Sequence, residues 1–238
     1  MKIAVFSDIH GNHEALANVL KDIDEQKPNH IFCLGDLVGY GPRPNEVIDT
    51  IREAKIPTVM GNYDEGVGYE KGDCGCAYVT DKEKANGQHS IDWTTEQVTA
   101  ENKKCLRSLN DKIELNANGF KVLLVHGSPR RINEYLYEDR PDRSLTRMLE
   151  FVEADVMICG HTHKPYHKVV GGVHLINDGS VGKPKDGDPR ACYALISIDE
   201  TVNVEFKRVE YPVEAVAEEI ISVGLPEAFA NALRTAGK

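Results

Sequence analysis

Lys2-Ile3-Ala4-Val5-Phe6-Ser7-Asp8-Ile9-His10-Gly11-Asn12 and Ile31-Phe32-Cys33-Leu34-Gly35-Asp36 both run from a short aliphatic segment straight into residues of metal-ligand type. The same succession recurs where 56–60 leads into Gly61-Asn62, 122–125 into His126-Gly127, and 156–159 into Gly160-His161-Thr162-His163. Each apolar run has the length of a strand, and strands covered on both faces read as continuous aliphatic runs. In open α/β sheets ligands gather at the carboxyl ends of strands, so five such endings point to one place. Carboxylate, imidazole and amide oxygen together make a hard-to-borderline donor set for a divalent cation.

Taken singly, each ending has a plainer reading. Asp8 and His10 share a face on a continuing strand, yet Asp8 can equally cap the next helix beside a surface histidine. Asp36 reads alone as a loop carboxylate, Asn62 as a turn residue between Gly61 and Asp64, and His126 as a satisfied histidine at a strand end. His161 and His163 lie between Gly160 and Pro165 at a spacing that resembles a chelate. The joint occurrence of all five endings carries more than any one of them.

Residues 2–6, 12–25, 31–34, 44–54 and 56–60 alternate strand and helix, which predicts a parallel sheet with crossover helices. Asn12 suits a helix cap and Pro44 a first helical turn, so both helices start just after a ligand-bearing strand end. Their free N–H groups then favour an anion such as phosphate. The Gly-rich stretch 66–75 and polar helical segments over 82–88 and 94–109 predict a helical cap inserted over 65–110 of a single domain spanning 1–238. Strands 112–117 and 120–125 form a hairpin across Asn118-Gly119, and a helix over 142–153 leads to the strand at 156. Strands at 166–170, 173–176, 191–198 and 202–211 predict a second sheet with antiparallel pairs, followed by helices over 213–223 and 226–233.

A net charge of −10 over 238 residues repels a polyanion and argues against a dedicated nucleic-acid partner. A small phosphorylated substrate stays open, because a bound dication reverses the local field. Strand signal begins by Lys2 without a charged leader, and no apolar run reaches the length of a membrane span, so a cytoplasmic protein without membrane attachment is expected. Cys33, Cys159 and Cys192 read as small buried hydrophobes, whereas Cys74 and Cys76 are spaced too tightly for a structural zinc site and read as two loop thiols.

The ordered series Asp8-x-His10, Gly35-Asp36, Gly61-Asn62-x-Asp64, His126-Gly127 and Gly160-His161-Thr162-His163 resembles the calcineurin-like metallophosphoesterase superfamily, over 8–180 of the chain. Residues 36–42, 179–182 and 186–190 are similar to its small bacterial and archaeal phosphodiesterase branch. The resemblance implies an α/β fold, a four-layer αββα sandwich of two mixed sheets flanked by helices. It implies that Asp8, His10 and His163 hold one metal ion, that Asn62, His126 and His161 hold a second, and that Asp36 bridges them. The two divalent ions, drawn from Mn²⁺, Fe, Zn²⁺ and Ni²⁺, would present a shared hydroxide for in-line attack on phosphorus. Asp36, Asn62 and His126 are then part of the catalytic set, on a small-molecule or nucleotide phosphodiester. A dinucleoside polyphosphate hydrolase, a protein serine/threonine phosphatase and a non-catalytic metal-binding interaction module are the alternatives.

One position departs from the family pattern. Many members carry histidine directly after Gly-Asn, where it assists the leaving group; here Tyr63 stands there, and a phenol of pKa about 10 is a reluctant acid. This predicts activity confined to good leaving groups such as aryl or activated diesters. Asn12, Arg43 and Arg130 are the expected substrate contacts, with His13, His89, Arg131 and Arg190 as further donors. Asp178 stands where a proline is frequent, before Gly179-Ser180.

Overall fold

A computed structural model describes residues 1–150 and 152–237. The chain begins β1 (Lys2–Phe6), α1 (His13–Gln26), β2 (His30–Cys33), α2 (Pro44–Glu53), α3 (Asn62–Gly68). α1 starts where the Asn12 side chain accepts the Ala15 N–H at 3.0 Å, and it turns Ala15, Leu16, Val19 and Ile23 inward at helical spacing. α2 starts on Pro44, whose missing N–H costs nothing in a first turn. There follow α4 (Asp81–Gln97), α5 (Ala100–Arg107), β3 (Ile113–Ala117), β4 (Phe120–Leu124), α6 (Asp142–Leu149) and β5 (Val156–Cys159). The chain then runs through β6 (Tyr166–Val170), β7 (Val173–Asn177), β8 (Ala191–Ile198), β9 (Val202–Val209), α7 (Val213–Ser222) and α8 (Glu227–Thr235).

Two mixed sheets result, one in the order β2-β1-β8-β9 and one in the order β3-β4-β5-β7-β6. Strand alternation shows how they stack. Along β1, Ile3 and Val5 pack with Val122, Leu124, Val156 and Ile158 of the other sheet, while Ala4 and Phe6 pack with Leu16, Val19 and Ile48 of α1 and α2. Along β4 the mirror image holds: Val122 and Leu124 face the first sheet, and Leu123 packs with Leu145 and Met148 of α6. Each sheet therefore has one face on its partner and one under helices, a four-layer αββα sandwich. α7 and α8 cover the first sheet through Val216, Ile220, Phe229 and Leu233, in the same core as α1 and α2.

Four local expectations are corrected. Residues 56–60 form no ladder, only the isolated bridges of Cys33 with Thr58 and Val59 with Asn110. The segment is too short: Ile56 N–H still bonds back to Ile51 O at 3.2 Å, and by Gly61 the chain is capping α3. The strands at 191–198 and 202–209 do not extend the second sheet. β8 runs antiparallel to β1, with Ala4 opposite Leu195, and fills the free edge of the first sheet, so that sheet is mixed. The helical segments expected over 82–88 and 94–109 break at Val98 and Thr99, because Thr99 caps α5 by accepting the Asn102 N–H at 3.2 Å. The helix expected over 142–153 is shorter, Asp142–Leu149 with Glu150 as its C-cap; residues 152 and 153 are not helical, and residue 151 lies outside the described residues. No helix among the described residues is long and apolar enough to cross a membrane.

Candidate metal centre

The loops that follow the strands are laced together by their backbones. Asp8 N–H bonds to Gly35 O at 2.9 Å, His10 N–H to Asp36 O at 2.9 Å, and Gly160 N–H to His126 O at 2.8 Å. Such close approach leaves no room for side chains: a Cβ on Gly61 would lie 2.1 Å from Asp36 N, and one on Gly35 2.3 Å from Gly61 N. The glycines of Gly-Asp and Gly-Asn are thus packing requirements. Asp8, His10, Asp36, His161 and His163 adopt left-handed backbone, with φ of 53°, 50°, 51°, 65° and 60°. Each such residue costs on the order of 1–3 kcal/mol, and strain of this kind persists where the surrounding structure fixes a functional geometry.

The side chains converge in two buried groups, Asp8 with His10 and His163, and Asp36 with His126 and His161, whose ligand atoms lie within 4.8 Å of one another in each group. Asp36 Oδ2 stands between the groups, 3.6 Å from His10 Nε2 and 3.5 Å from His126 Nε2. Its Oδ1 is fixed by the Tyr63 N–H at 2.8 Å. Asn62 Oδ1 adjoins the second group, 3.1 Å from His126 Nε2.

The donor set fits divalent cations on a simple count of protons. His10, His126 and His163 each place Nδ1 against a backbone carbonyl, of Val38 at 2.9 Å, Leu34 at 2.7 Å and Lys183 at 2.5 Å. A ring donating from Nδ1 turns the Nε2 lone pair inward. His10 Nε2 and His163 Nε2 then face each other at 3.2 Å with acceptor toward acceptor. Asn62 also turns its oxygen inward, 3.1 Å from His126 Nε2, since its amide N–H is spent on Cys74 O at 2.9 Å. Asp8 Oδ1 and His161 Nε2 are buried with no hydrogen-bond partner. Opposed lone pairs and orphaned buried acceptors are costly unless positive charge lies between them.

The electrostatics of the two groups agree. Burial pulls His10 down to about 4 and His161 and His163 down to about 3, so these rings are neutral. Burial also opposes charge on His126, but Asp36 and Asp8 outweigh it and lift the ring to about 10. Burial works against the Asp8 carboxylate too, yet the positive charge on the His126 ring helps hold it well below the usual range.

Sequence candidates for substrate contact are placed less openly. Asn12 is buried, capping α1 with its oxygen and donating to Gly182 O at 3.2 Å with its nitrogen. Arg43 pairs with Glu219 at 2.7 Å and Glu14 at 3.1 Å. Arg130 pairs with Glu134, Arg190 pairs with Asp188, and His13 meets the Thr50 hydroxyl. His89 is exposed on α4. Tyr63 is buried under Tyr40, its ring edge-on to His10 at 5.4 Å and its hydroxyl 3.3 Å from that of Tyr78. Burial pushes its phenol well above the ordinary range. Cys74 and Cys76 lie beside the second group, with Sγ atoms 2.7 Å apart and the Asn62 amide 3.3 Å from Cys76 Sγ.

Two supporting residues carry more than their sequence reading. Asp64 accepts the Gly61 N–H and the Leu37 N–H, each at 2.9 Å, so it fastens the Asp36 loop to the Asn62 loop. Burial and the neighbouring Asp36 raise its carboxyl to about 7. Its place in Gly-Asn-x-Asp was the available signal. Asp178 reaches Ser7 Oγ at 2.8 Å, and Ser7 Oγ reaches Asp8 Oδ2 at 2.6 Å. Burial and the Asp8 charge push Asp178 well above the carboxylate range, so it keeps its proton and donates to Ser7, which donates to Asp8.

Comparison with known proteins decides the family. A family model described as the calcineurin-like phosphoesterase superfamily domain matches residues 1–201. The chain belongs to that superfamily. It is accordingly a metal-dependent phosphoric ester hydrolase. An uncharacterized protein of Methanocaldococcus jannaschii is 38% identical over 94% of this chain and 94% of its own. A metallophosphoesterase structure from Sphaerobacter thermophilus superposes with a TM-score of 0.80 at 32% identity, covering 100% of this chain and 99% of that one. A phosphodiesterase of Escherichia coli K12 is 26% identical over 84% of this chain and 89% of its own.

Proposed function

We propose that the phosphoesterase is a two-metal phosphodiesterase acting on a small-molecule or nucleotide phosphodiester. The observation that carries this reading is the position of Asp36 Oδ2, at 3.6 Å and 3.5 Å from one imidazole of each group, where a single carboxylate can serve two ions. Asp8, His10 and His163 would hold one ion, Asn62, His126 and His161 the other. When bound, such a pair supplies an activated water and positive charge against the phosphoryl oxygens. The protein supplies the geometry: carbonyls of Val38, Leu34 and Lys183 fix three ring tautomers, and the Tyr63 N–H and the Ser7 hydroxyl orient the two carboxylates.

The proton for the leaving group is the weak step. Tyr63 occupies the position after Gly61-Asn62, and its buried phenol sits well above its ordinary range. It yields no proton at neutral pH, so the reading favours diesters whose leaving groups depart unaided. The similarity to the Escherichia coli phosphodiesterase supports the diester class. Hydrolysis of bis-p-nitrophenyl phosphate with added Mn²⁺, together with metal content by elemental analysis, tests the proposal. Turnover with two ions per chain is expected. Asp36→Asn should cut activity by more than the roughly 10–100-fold seen on losing a second-shell partner. An inert protein with no bound metal sinks the reading.

A further inference from the structure

Most cations near the metal centre are already spoken for: Arg43 by Glu14 and Glu219, Arg130 by Glu134, Arg190 by Asp188. Lys183 and Lys185 are different. Both are half-buried, and among the described residues neither ammonium has a hydrogen bond or a carboxylate partner. Lys183 Nζ lies 4.1 Å over the Tyr40 ring, and that ring is 4.9 Å from His10 and 4.8 Å from Tyr63. Lys183 shares a crevice with His10, Asn12 and Tyr40. The Asp8 charge acts on both ammonium groups, and the Asp36 charge on Lys185.

The loop that carries them is tied to the ligands themselves. Ser180 Oγ donates to Asp8 O at 2.8 Å and accepts the Lys183 N–H at 2.9 Å. The Lys183 carbonyl takes the His163 Nδ1–H, and the Lys185 N–H bonds to His163 O at 3.3 Å. Two ammonium groups held half-buried against a metal site, with no directly paired carboxylate among the described residues, are costly unless an anion completes them.

We propose that Lys183 and Lys185 form an anion clamp at the mouth of the metal centre, which takes the phosphoryl oxygens of the substrate and supplies the positive charge that Tyr63 lacks. The clamp rests on the phosphodiesterase reading for its substrate, and its ligand is the phosphate group itself. A cation from this loop replaces one from the position after Asn62, so phosphate binding should depend on residues more than a hundred positions downstream of Tyr63.

The test is calorimetric titration of the metal-loaded protein with inorganic phosphate, using Lys183→Gln, Lys185→Gln and the matching Arg variants. Metal content and melting temperature are measured on each. Each Gln variant should weaken phosphate binding roughly 10-fold or more with metal content unchanged, and raise KM for bis-p-nitrophenyl phosphate in parallel. The Arg variants, which keep the charge, should bind within about threefold of the parent. Gln variants that bind phosphate as the parent does, or a parent that binds none, overturn the clamp. A parent that binds phosphate through the lysines but hydrolyses no diester leaves the clamp standing and removes the phosphodiesterase reading instead.

Discussion

At the residue scale the site turns on where single protons sit. Ser7 has one hydroxyl proton for two acceptors, Asp8 Oδ2 and Asp178 Oδ1, and a neutral Asp178 resolves the conflict. Asp178→Asn keeps a neutral donor of the same shape, so its stability and metal uptake should stay within about 0.5 kcal/mol of the parent. Asp178→Ala strands Ser7 and opens a void, at a cost of about 1–3 kcal/mol. Urea unfolding of both variants distinguishes the neutral acid from a carboxylate, for which the Asn change would cost as much as the Ala change. Tyr63 offers the complementary test at the leaving group. Tyr63→His should raise turnover of an alkyl phosphate ester by about 10²-fold or more, the scale of general acid assistance; unchanged turnover in a steady-state assay would count against a missing acid. The histidines, carboxylates and Asn62 of the site were all legible as residue types. Asp178 was not, because its role depends on a proton that only burial assigns to it.

At the element scale the legible features are those written in local chemistry. α1 follows from Asn12 and its inward stripe, and the hairpin of β3 and β4 from Asn118-Gly119. One misreading concerns long-range pairing: β8 joins β1 because that edge is open in space, which no local pattern near residue 191 encodes. α3 was hidden by Gly66 and Gly68, which lower helix propensity, yet a Cβ on Gly66 would lie 2.7 Å from Asp73 O, so packing chose glycine there. The same logic governs the two ligand loops. Gly61→Ala pushes a Cβ into Asp36 N and Oδ1, at 2.1 Å and 2.2 Å, so the loops must separate. A folded protein with reduced metal stoichiometry is expected, read by circular dichroism beside elemental analysis; full metal loading would show that the loops tolerate the separation.

At the scale of the whole molecule, the four layers hold the ligands on strand ends from both sheets, Asp8 and Asp36 on one, His126, His161 and His163 on the other. The inter-sheet core of Ile3, Val5, Val122, Leu124 and Ile158 therefore sets the distance across the metal groups. Metal that bridges the sheets stabilises the assembly by mass action, by about 2.7 kcal/mol at a hundredfold excess over Kd. For a chain of this size that is roughly 5–10 °C in melting temperature. Chelation should lower the melting temperature by that amount and restored Mn²⁺ should recover it, while an unchanged transition would mean that no ion binds the folded chain.

On the proposed reading, Asp36 joins two metal ions at one buried site. Electron paramagnetic resonance of the Mn²⁺-loaded protein reads this directly, because two ions about 4 Å apart through a shared carboxylate are magnetically coupled. A coupled dimanganese spectrum at two equivalents per chain, lost in Asp36→Asn, is the expected result. The six-line spectrum of isolated Mn²⁺ at saturating metal would contradict it.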